Sequence, residues 1–354
     1  MKKFKFILLT VITGVIFSLV PTISFAEETP GVGYEIRPLL PNTQIDNDRG
    51  YYYVQTEPGK KQTLSLSIFN TSDEDKTIQV SLEDAISTDV GTIGYSDDPE
   101  KRHESLINSI TEIVKTPEKE ITLKPKEEGI VDFELTPPNE HYDGVKIGRV
   151  VVKEKTPEDE KGISQEYQYA LGIITSESGV NYNDGKTLGI EKAQANINFG
   201  TKAIEAYLFN PEPKTIEDLK VRSYVTKKGE TKKIKERNVD NFAFAPNSKV
   251  TYTIPWGLSD FQSGEYTFHF KAENQYETFD IEQDFTIRAD DAKRLNKETA
   301  FGITTPYFII YIIIGINTVL VVLFVVILTR DRKWVKELKE KKKSRKGKKK
   351  REKK

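Results

Sequence analysis

The sequence predicts an all-β outer region, made of two immunoglobulin-like β-sandwich domains in tandem, followed by a single C-terminal transmembrane helix. Short segments in which apolar and polar residues alternate are separated by turn-forming residues, which is typical of strands. The β-favouring residues Tyr, Phe, Val, Ile and Thr are prominent between the two apolar ends of the chain. An uncharged apolar run of 23 residues, 307–329, precedes a strongly basic tail. At about 1.5 Å of rise per residue, a helix of this length crosses a hydrocarbon core of about 30 Å.

The N-terminus has the pattern of a secretory signal peptide over residues 1–26. Lys2, Lys3 and Lys5 precede an apolar stretch that ends at Val20, and Ser24-Phe25-Ala26 is a small-x-small cleavage site. We therefore expect cleavage after Ala26. The alternative is an uncleaved first membrane span, against which the short apolar stretch and the cleavage site both argue.

The first predicted domain spans residues 27–178. Period-two alternation marks strands around 64–69, 78–83, 131–135 and 147–152. The charged stretch 153–165 is either a long hairpin loop or a domain boundary, and the strand at 167–173 is expected to close this first domain. Asn183-Asp184-Gly185 is a strong turn signal, so we place the boundary between the two domains near it.

The second predicted domain spans residues 179–290 and repeats the strand pattern. Gly264-Glu265-Tyr266 resembles the corner before a late strand of immunoglobulin-like domains, where a Tyr hydroxyl bonds back to the main chain; an ordinary core Tyr is the alternative. Residues 291–306 are expected to form a polar stalk that leads to the predicted span at 307–329.

Charge separates the chain into two compartments. The tail, residues 330–354, has 16 Lys/Arg and 4 Asp/Glu, a net charge of +12, whereas residues 27–329 carry −16. Positive residues stay on the cytoplasmic side, so we expect a single-pass type I cell-membrane protein with an extracellular N-terminal region at the cell wall. An acidic outer region argues against nucleic acid as a partner. RNA binding by the tail is the alternative, but no aromatic or RNA-fold signal accompanies it.

No residue pattern points to catalysis, a cofactor or a metal. The chain has no cysteine, its three histidines are far apart, and HExxH, GxSxG, Walker and dinucleotide glycine patterns do not occur. The acidic stretches at 73–75 and 181–185 are better explained as turns than as weak Ca²⁺ loops. We expect a protein that is not an enzyme.

The start of the first domain combines aromatic and polar residues suited to binding sugars. Because side chains alternate faces along a strand, three consecutive tyrosines at 51–53 must place at least one ring outward. Exposed rings beside hydrogen-bonding side chains are a candidate peptidoglycan site, and core packing of the rings is the alternative. The candidate ligand-binding residues are Tyr34, Arg37, Gln44, Arg49 and Tyr52.

Aromatic residues of the second domain are candidates for a partner surface. Phe242, Phe244 and Trp256 flank a turn, and the alternation places the two phenylalanines on one face. That face is either core or an apolar strip beside an exposed strand edge, to which a partner chain would add a strand.

An ordered set of motifs resembles the WxL-interacting proteins of Gram-positive bacteria, which combine a DUF916-type domain with a DUF3324-type domain. The first-domain motifs are Tyr34-x-Ile36-x-Pro38-x-x-Pro41-x-x-Gln44, Pro58-Gly59-x-x-Gln62, Leu64-x-Leu66-x-Ile68-x-Asn70, Gly91-x-Ile93-x-Tyr95, Pro137-Pro138 and Tyr142-Asp143-Gly144. The second-domain motifs are Asn241-x-x-x-Ala245-Pro246-Asn247-Ser248, Gly264-x-Tyr266 and Phe285-Thr286-Ile287. Where the family often has a Gly pair, this chain has Gly148-Arg149.

The resemblance implies a non-enzymatic cell-surface scaffold. Its first domain would bind peptidoglycan, and its second would hold WxL-domain surface proteins. The alternative is a structural adhesin of the cell wall without WxL partners, although no LPxTG-like sorting motif precedes Tyr307. A wall hydrolase is a third class, which would release muropeptides.

Overall fold

The protein is described by a computed structural model that covers residues 32–116, 119–155, 167–300 and 311–327. The predicted signal peptide and basic tail lie outside these residues, as do both ends of the predicted span. Residues 311–327 are helical (α3). Within the described ranges, we find no helix that is both long and apolar enough to cross a membrane.

Ten strands, one short α-helix and a 3₁₀ turn at Pro99–Lys101 form the first domain. The alternation of apolar and polar residues predicted four of these strands, around 64–69, 78–83, 131–135 and 147–152. Their bounds are β1 Tyr34–Leu39, β2 Tyr52–Gln55, β3 Gln62–Asn70, β4 Lys76–Ser87, β5 Ile93–Ser96, α1 Ile110–Ile113, β6 Val114–Lys115, β7 Glu120–Leu123, β8 Glu128–Leu135, β9 Lys146–Glu154 and β10 Gln168–Ser176.

Two sheets of the first domain face each other across one core. One sheet has the order β1-β3-β8-β6, and the other has the order β2-β10-β9-β4-β5 with β7 paired to β4. Alternate residues of β3, such as Leu64 and Leu66, point inward and join Val150 and Val152 of the opposite sheet in a single buried cluster. Strand β10 pairs antiparallel with β9 and parallel with β2, which confirms that the strand predicted at 167–173 closes this domain.

Seven strands and one helix form the second domain. Their bounds are β11 Gly189–Asn198, β12 Thr201–Asn210, β13 Ile216–Lys227, β14 Lys235–Phe244, β15 Ser248–Pro255, β16 Gly264–Glu273, β17 Thr278–Ile287 and α2 Ala289–Glu298. The sheets β11-β12-β15 and β14-β13-β16-β17 enclose a second core. The Tyr266 hydroxyl donates to Gln262 O at 2.8 Å, which confirms the backward bond expected at this corner. Within the described residues, both domains are therefore mostly β-sheet.

Helix α2 packs against the second core. Ala292 and Leu295 are buried in that core, and the Asn296 amide both accepts from Phe261 N at 2.8 Å and donates to Phe261 O at 3.0 Å. Residues 291–298 of the predicted stalk thus form part of the second domain, because two apolar side chains on one helix face have a core to cover.

Candidate functional site

Two of the five predicted peptidoglycan-binding residues are core residues. Tyr34 is 1% exposed and Tyr52 is 0% exposed. Their hydroxyls donate to Val152 O at 2.9 Å and to Ser65 O at 2.6 Å, so both rings pack inward and both polar ends are satisfied. Burial raises the pKa of Tyr52. This corrects the expectation that these rings are available to stack on a sugar.

Gln44 and Arg49 hold the loop between β1 and β2 in place. The Gln44 amide donates to Asp46 O and Tyr51 O, both at 2.9 Å, and accepts from Tyr53 N at 3.1 Å. Gln44 is nearly buried, and its amide hydrogen-bonds within the loop. This corrects the expectation that Gln44 contacts a ligand: it supports the loop instead. Arg49 pairs with Asp46 at 2.8 Å and lies over the Tyr51 and Tyr53 rings at 5.4 and 5.6 Å. The Arg49 side chain is 38% exposed.

Arg37 is the predicted residue that lies at a free surface. Its side chain is 71% exposed and approaches Glu128 at 3.4 Å. Ser67 also donates to the Glu128 carboxylate. Together with Glu35, Ile36 and Phe69, these residues line a shallow cavity of 260 Å³ on the outer face of the β1-β3-β8 sheet. We call this cavity the Arg37 groove.

The predicted partner-binding aromatics are core residues of the second domain. Phe242 and Phe244 are both 0% exposed, with ring centroids 5.2 Å apart, and Trp256 is 3% exposed. Trp256 packs on Phe261 at 5.0 Å. The apolar strip predicted for a partner is therefore corrected to interior packing, because the strand face that carries it is the face turned toward the opposite sheet.

A hairpin of the first domain docks on the second domain. Asp89, beyond the end of β4, accepts from Arg237 Nη1 at 2.6 Å and from Thr253 N at 2.9 Å, and its carbonyl accepts from Arg237 Nη2 at 2.6 Å. Two buried hydroxyls, of Ser87 and Ser248, lie 2.6 Å apart. Ion pairs and hydrogen bonds of this kind at low exposure fix one relative orientation of the two domains.

Residues 102–105 make a second interdomain contact. His103 N donates to Asn247 O at 3.1 Å, and the His103 ring stacks on Phe209 at 4.5 Å with the planes 6° apart. The Asn247 amide donates a hydrogen bond to Ser105 Oγ at 2.9 Å. On the first-domain side, Arg102 is held by the buried Asp84 carboxylate at 2.6 Å. Both contacts therefore begin from rigid parts of the first domain.

Between the docked hairpin and the second domain lies a cavity of 670 Å³, which we call the interdomain groove. Both domains contribute to its lining. Its residues are Ile86, Ser87, Thr88, Asp89, Glu100 and Lys101 of the first domain and Glu191, Lys192, Phe199, Tyr207, Lys249, Val250 and Thr251 of the second. Phe199 is one of these lining residues, although its side chain is 99% exposed.

Lys192 and Tyr207, which line the interdomain groove, lie against polar side chains of the same sheet. Lys192 Nζ lies 4.6 Å from the Tyr207 ring centroid. The Tyr207 hydroxyl donates to Glu205 at 3.2 Å and accepts from Gln194 at 3.1 Å, while Asn196 donates to the same carboxylate at 2.8 Å. Burial and the neighbouring Glu205 charge raise the pKa of Tyr207. A preorganised mixture of one ring, amides and charges suits a polar ligand or a peptide segment.

Sequence patterns did not identify this groove. Its residues come from segments about one hundred positions apart, and each of them is an ordinary polar or strand residue within its own segment. Nothing in the described ranges places three or more His, Cys, Asp or Glu side chains where they would hold a metal ion.

Comparison with protein families gives two matches in tandem. Residues 34–154 match the peptidoglycan binding domain of the WxL Interacting Protein family, and residues 158–297 match the host binding domain of the same family. No curated protein matches the sequence. The host-binding match includes β10, which in the structure belongs to a sheet of the first domain.

Similarity to solved structures is weak. The YadV chaperone is 11% identical, covers 72% of this chain and 100% of its own, and has a TM-score of 0.29. The E. coli chaperone DraB is 12% identical with coverages of 72% and 98% and a TM-score of 0.27. A PapD-like domain of human CEP192 is 14% identical with coverages of 41% and 84% and a TM-score of 0.26. Scores this low do not establish a shared fold.

Proposed function

The chain belongs to the WxL-interacting protein family, and from this membership we propose that it is a non-enzymatic cell-surface scaffold. Its first domain binds peptidoglycan, and its second domain holds WxL-domain surface proteins. The observation that carries the proposal is that the two family matches, 34–154 and 158–297, together cover the two structural cores, with β10 of the first core falling in the second match. Each matched domain has a hydrophobic core of its own, which supports the surface of that domain.

We propose the Arg37 groove as the peptidoglycan contact of the first domain. Peptidoglycan offers sugar rings and peptide carboxylates, and the groove offers the Phe69 ring and the exposed Arg37 guanidinium. A planar guanidinium matches a carboxylate in two-point geometry. The existing contact to Glu128 is long and solvent-exposed, so a ligand carboxylate competes with it at little cost.

We propose the interdomain groove as the seat of the protein partner. Its volume of 670 Å³ lies in the range of formed binding sites, which occur preferentially between domains. The second domain supplies the Tyr207 ring together with Lys192, Lys249 and Glu191, and the first domain supplies Glu100 and Lys101. A partner segment there would contact both domains, so its binding would depend on their docked arrangement.

We further propose that each domain is an immunoglobulin-like β-sandwich and that the chain is a single-pass type I membrane protein. Support for the sandwiches comes from the two facing sheets of each core and from the Tyr266 corner. Support for the anchor comes from the sequence, which has an uncharged run at 307–329 ahead of a tail with net charge +12. The apolar side chains of α3 are exposed and cover no protein core.

The proposal is tested with the full chain in detergent micelles, mixed separately with purified peptidoglycan sacculi and with a WxL-domain protein. Co-sedimentation with sacculi and co-elution with the WxL-domain protein are the expected results. Binding to sacculi without binding to the WxL-domain protein would favour the alternative, a structural adhesin of the wall without WxL partners. Failure of both would refute the scaffold, and release of muropeptides from the sacculi would refute its non-enzymatic character.

A further inference from the structure

Phe199 is an aromatic residue that neither the core nor its turn explains. It is 99% exposed, so its ring contributes nothing to the packing of the domain. It forms, with Gly200, the two-residue turn between the paired residues Asn198 and Thr201. Its φ is +45°, a region that Asn or Gly adopts readily and a bulky residue rarely does. A residue that suits neither burial nor the turn is a candidate for contact with something outside the domain.

The turn that carries Phe199 is tied to the point where the chain leaves the second domain. Gly200 O accepts from Ala300 N at 2.9 Å and from Thr299 Oγ1 at 3.1 Å. Tyr307 begins the predicted span seven residues after Ala300. Even a fully extended chain covers only about 24 Å over that length. Phe199 is adjacent to Gly200, so it is held within a short distance of the predicted membrane surface.

Other residues at the same end of the domain have the chemistry of a membrane contact. Leu258 is 56% exposed, and its carbonyl accepts from Lys202 Nζ at 3.4 Å, two residues beyond Gly200. The turn between β13 and β14, which the antiparallel connectivity places at this end, has the exposed lysines 227, 228, 232 and 233. Lys228 pairs with Asp284 at 3.0 Å, and one further acid, Glu230, lies in this turn.

We propose that this end of the second domain rests on the outer face of the cell's own bilayer, with the Phe199 ring inserted at the interface. Aromatic rings favour the headgroup region, and nearby lysines are attracted to anionic lipids. The turn is tied through Thr299 and Ala300 to the end of α2, and α2 is held to the domain by the hydrogen bonds between Asn296 and Phe261. The contact therefore orients the second domain and directs the first domain away from the membrane. The inference rests on the proposed anchor.

Site-specific fluorescence quenching tests the contact, because a chain without cysteine accepts a single labelled one. The full chain, bearing a thiol-reactive bimane at Thr201→Cys, is reconstituted into nanodiscs of phosphatidylcholine and phosphatidylglycerol. Some of the lipids carry a nitroxide high on the acyl chain. We expect quenching at position 201 and loss of that quenching in the added variant Phe199→Ser. A label at Gln275→Cys, in the turn at the opposite end of the domain, is the matched control and should stay unquenched.

A third label, Gly315→Cys, separates this inference from the proposed anchor on which it rests. Quenching by a nitroxide deep in the acyl chain reports that residue 315 lies in the bilayer. If position 315 is quenched and position 201 is not, the membrane contact of Phe199 is refuted while the anchor stands. If position 315 is also unquenched, the anchor itself is refuted. Equal quenching at 201 with and without Phe199 would refute the role of this ring.

Discussion

Asp89 of the first domain accepts a hydrogen bond from Arg237 of the second domain at 2.6 Å. The Arg237 side chain is only 19% exposed, and the same carboxylate oxygen also accepts from Thr253 N at 2.9 Å. The Asp89 carboxylate therefore accepts hydrogen bonds from a backbone N–H of β15 and from the Arg237 guanidinium at the same time. This contact makes the two binding modules a single unit, and it is the contact that the first prediction removes.

The Asp89→Ala variant is expected to loosen the docked domains. Removing one partner from a pair of low exposure leaves the Arg237 charge and a strand N–H without their acceptor, at a cost of about 1–3 kcal/mol. We expect thermal unfolding to separate into two transitions, measured by calorimetry. The control Asp240→Ala removes an exposed ion pair with Arg222 (2.8 Å) and should change stability by no more than about 1 kcal/mol. A single unshifted transition in Asp89→Ala would contradict the prediction.

Gly91 is expected to tolerate no side chain. Its φ is +87°, and an added Cβ would lie 2.5 Å from Cδ2 of Phe242 across the domain interface. Gly91→Ala should therefore cost about 1–3 kcal/mol through overpacking, in addition to about 1 kcal/mol of backbone strain. Gly229→Ala is the matched control, since φ is +77° and nothing lies within 4 Å. Chemical denaturation of both variants measures the difference, which should vanish if the interface is not formed.

Phe244→Ala is expected to lower stability because Phe244 fills the second core. Truncation of a buried Phe typically costs about 3–5 kcal/mol. Phe199→Ala, at a ring that is 99% exposed, should change the free energy of unfolding by less than about 0.5 kcal/mol. Urea unfolding of the two variants provides the comparison. If Phe244→Ala kept its stability but lost partner binding, the prediction would be wrong and Phe244 would be a contact residue for the partner.

Arg37→Ala is expected to weaken binding to peptidoglycan without affecting the fold. The side chain is 71% exposed, so its removal opens no cavity, while loss of a guanidinium–carboxylate bond should reduce affinity about tenfold. The control Lys61→Ala removes a cation that is 62% exposed and pairs with Glu134 on the same domain. Sedimentation with sacculi at several protein concentrations measures both. Equal binding by the two variants would place the peptidoglycan contact elsewhere.

Tyr182 is expected to contribute to the loss of stability at high pH. Burial, and to a smaller extent the nearby Tyr51, raises the pKa of its hydroxyl from 10.0 to about 12. The folded state therefore holds this proton more tightly, so the stabilisation is complete below pH 10 and is lost as pH rises toward about 12. After discounting for partial exposure, we expect about 1–2 kcal/mol. Urea unfolding from pH 9 to 12 should show a flatter pH dependence in Tyr182→Phe, which has no proton to lose.

Local pattern was sufficient for the elements and for the family. Alternation at Leu64-x-Leu66-x-Ile68 predicts a strand with one buried face, and the structure has β3 there with these residues at 0% exposure. The ordered motifs identify the WxL-interacting proteins, which both family matches confirm. These features are local because a side-chain period or a turn residue is set by a few neighbouring positions.

The candidate binding residues show where local pattern was insufficient. Alternation assigns Phe242 and Phe244 to one face, but whether that face meets solvent or a second sheet depends on strands far along the chain. The same holds for Tyr52, whose neighbour β10 lies about 120 positions later. An aromatic strand has the same composition in a core and on a binding face, so exposure had to come from the fold.

The amino-acid sequence by itself determined the all-β class, the strand positions and the family of this protein, because periodicity, turn residues and ordered motifs act over short distances. Only the tertiary structure decided which aromatics are buried, that Asp89 locks the two domains together, that a groove opens between them, and that Phe199 stands free beside the end of the second domain. Each of these features depends on which distant segments of the chain come into contact, because that contact determines which side chains are buried.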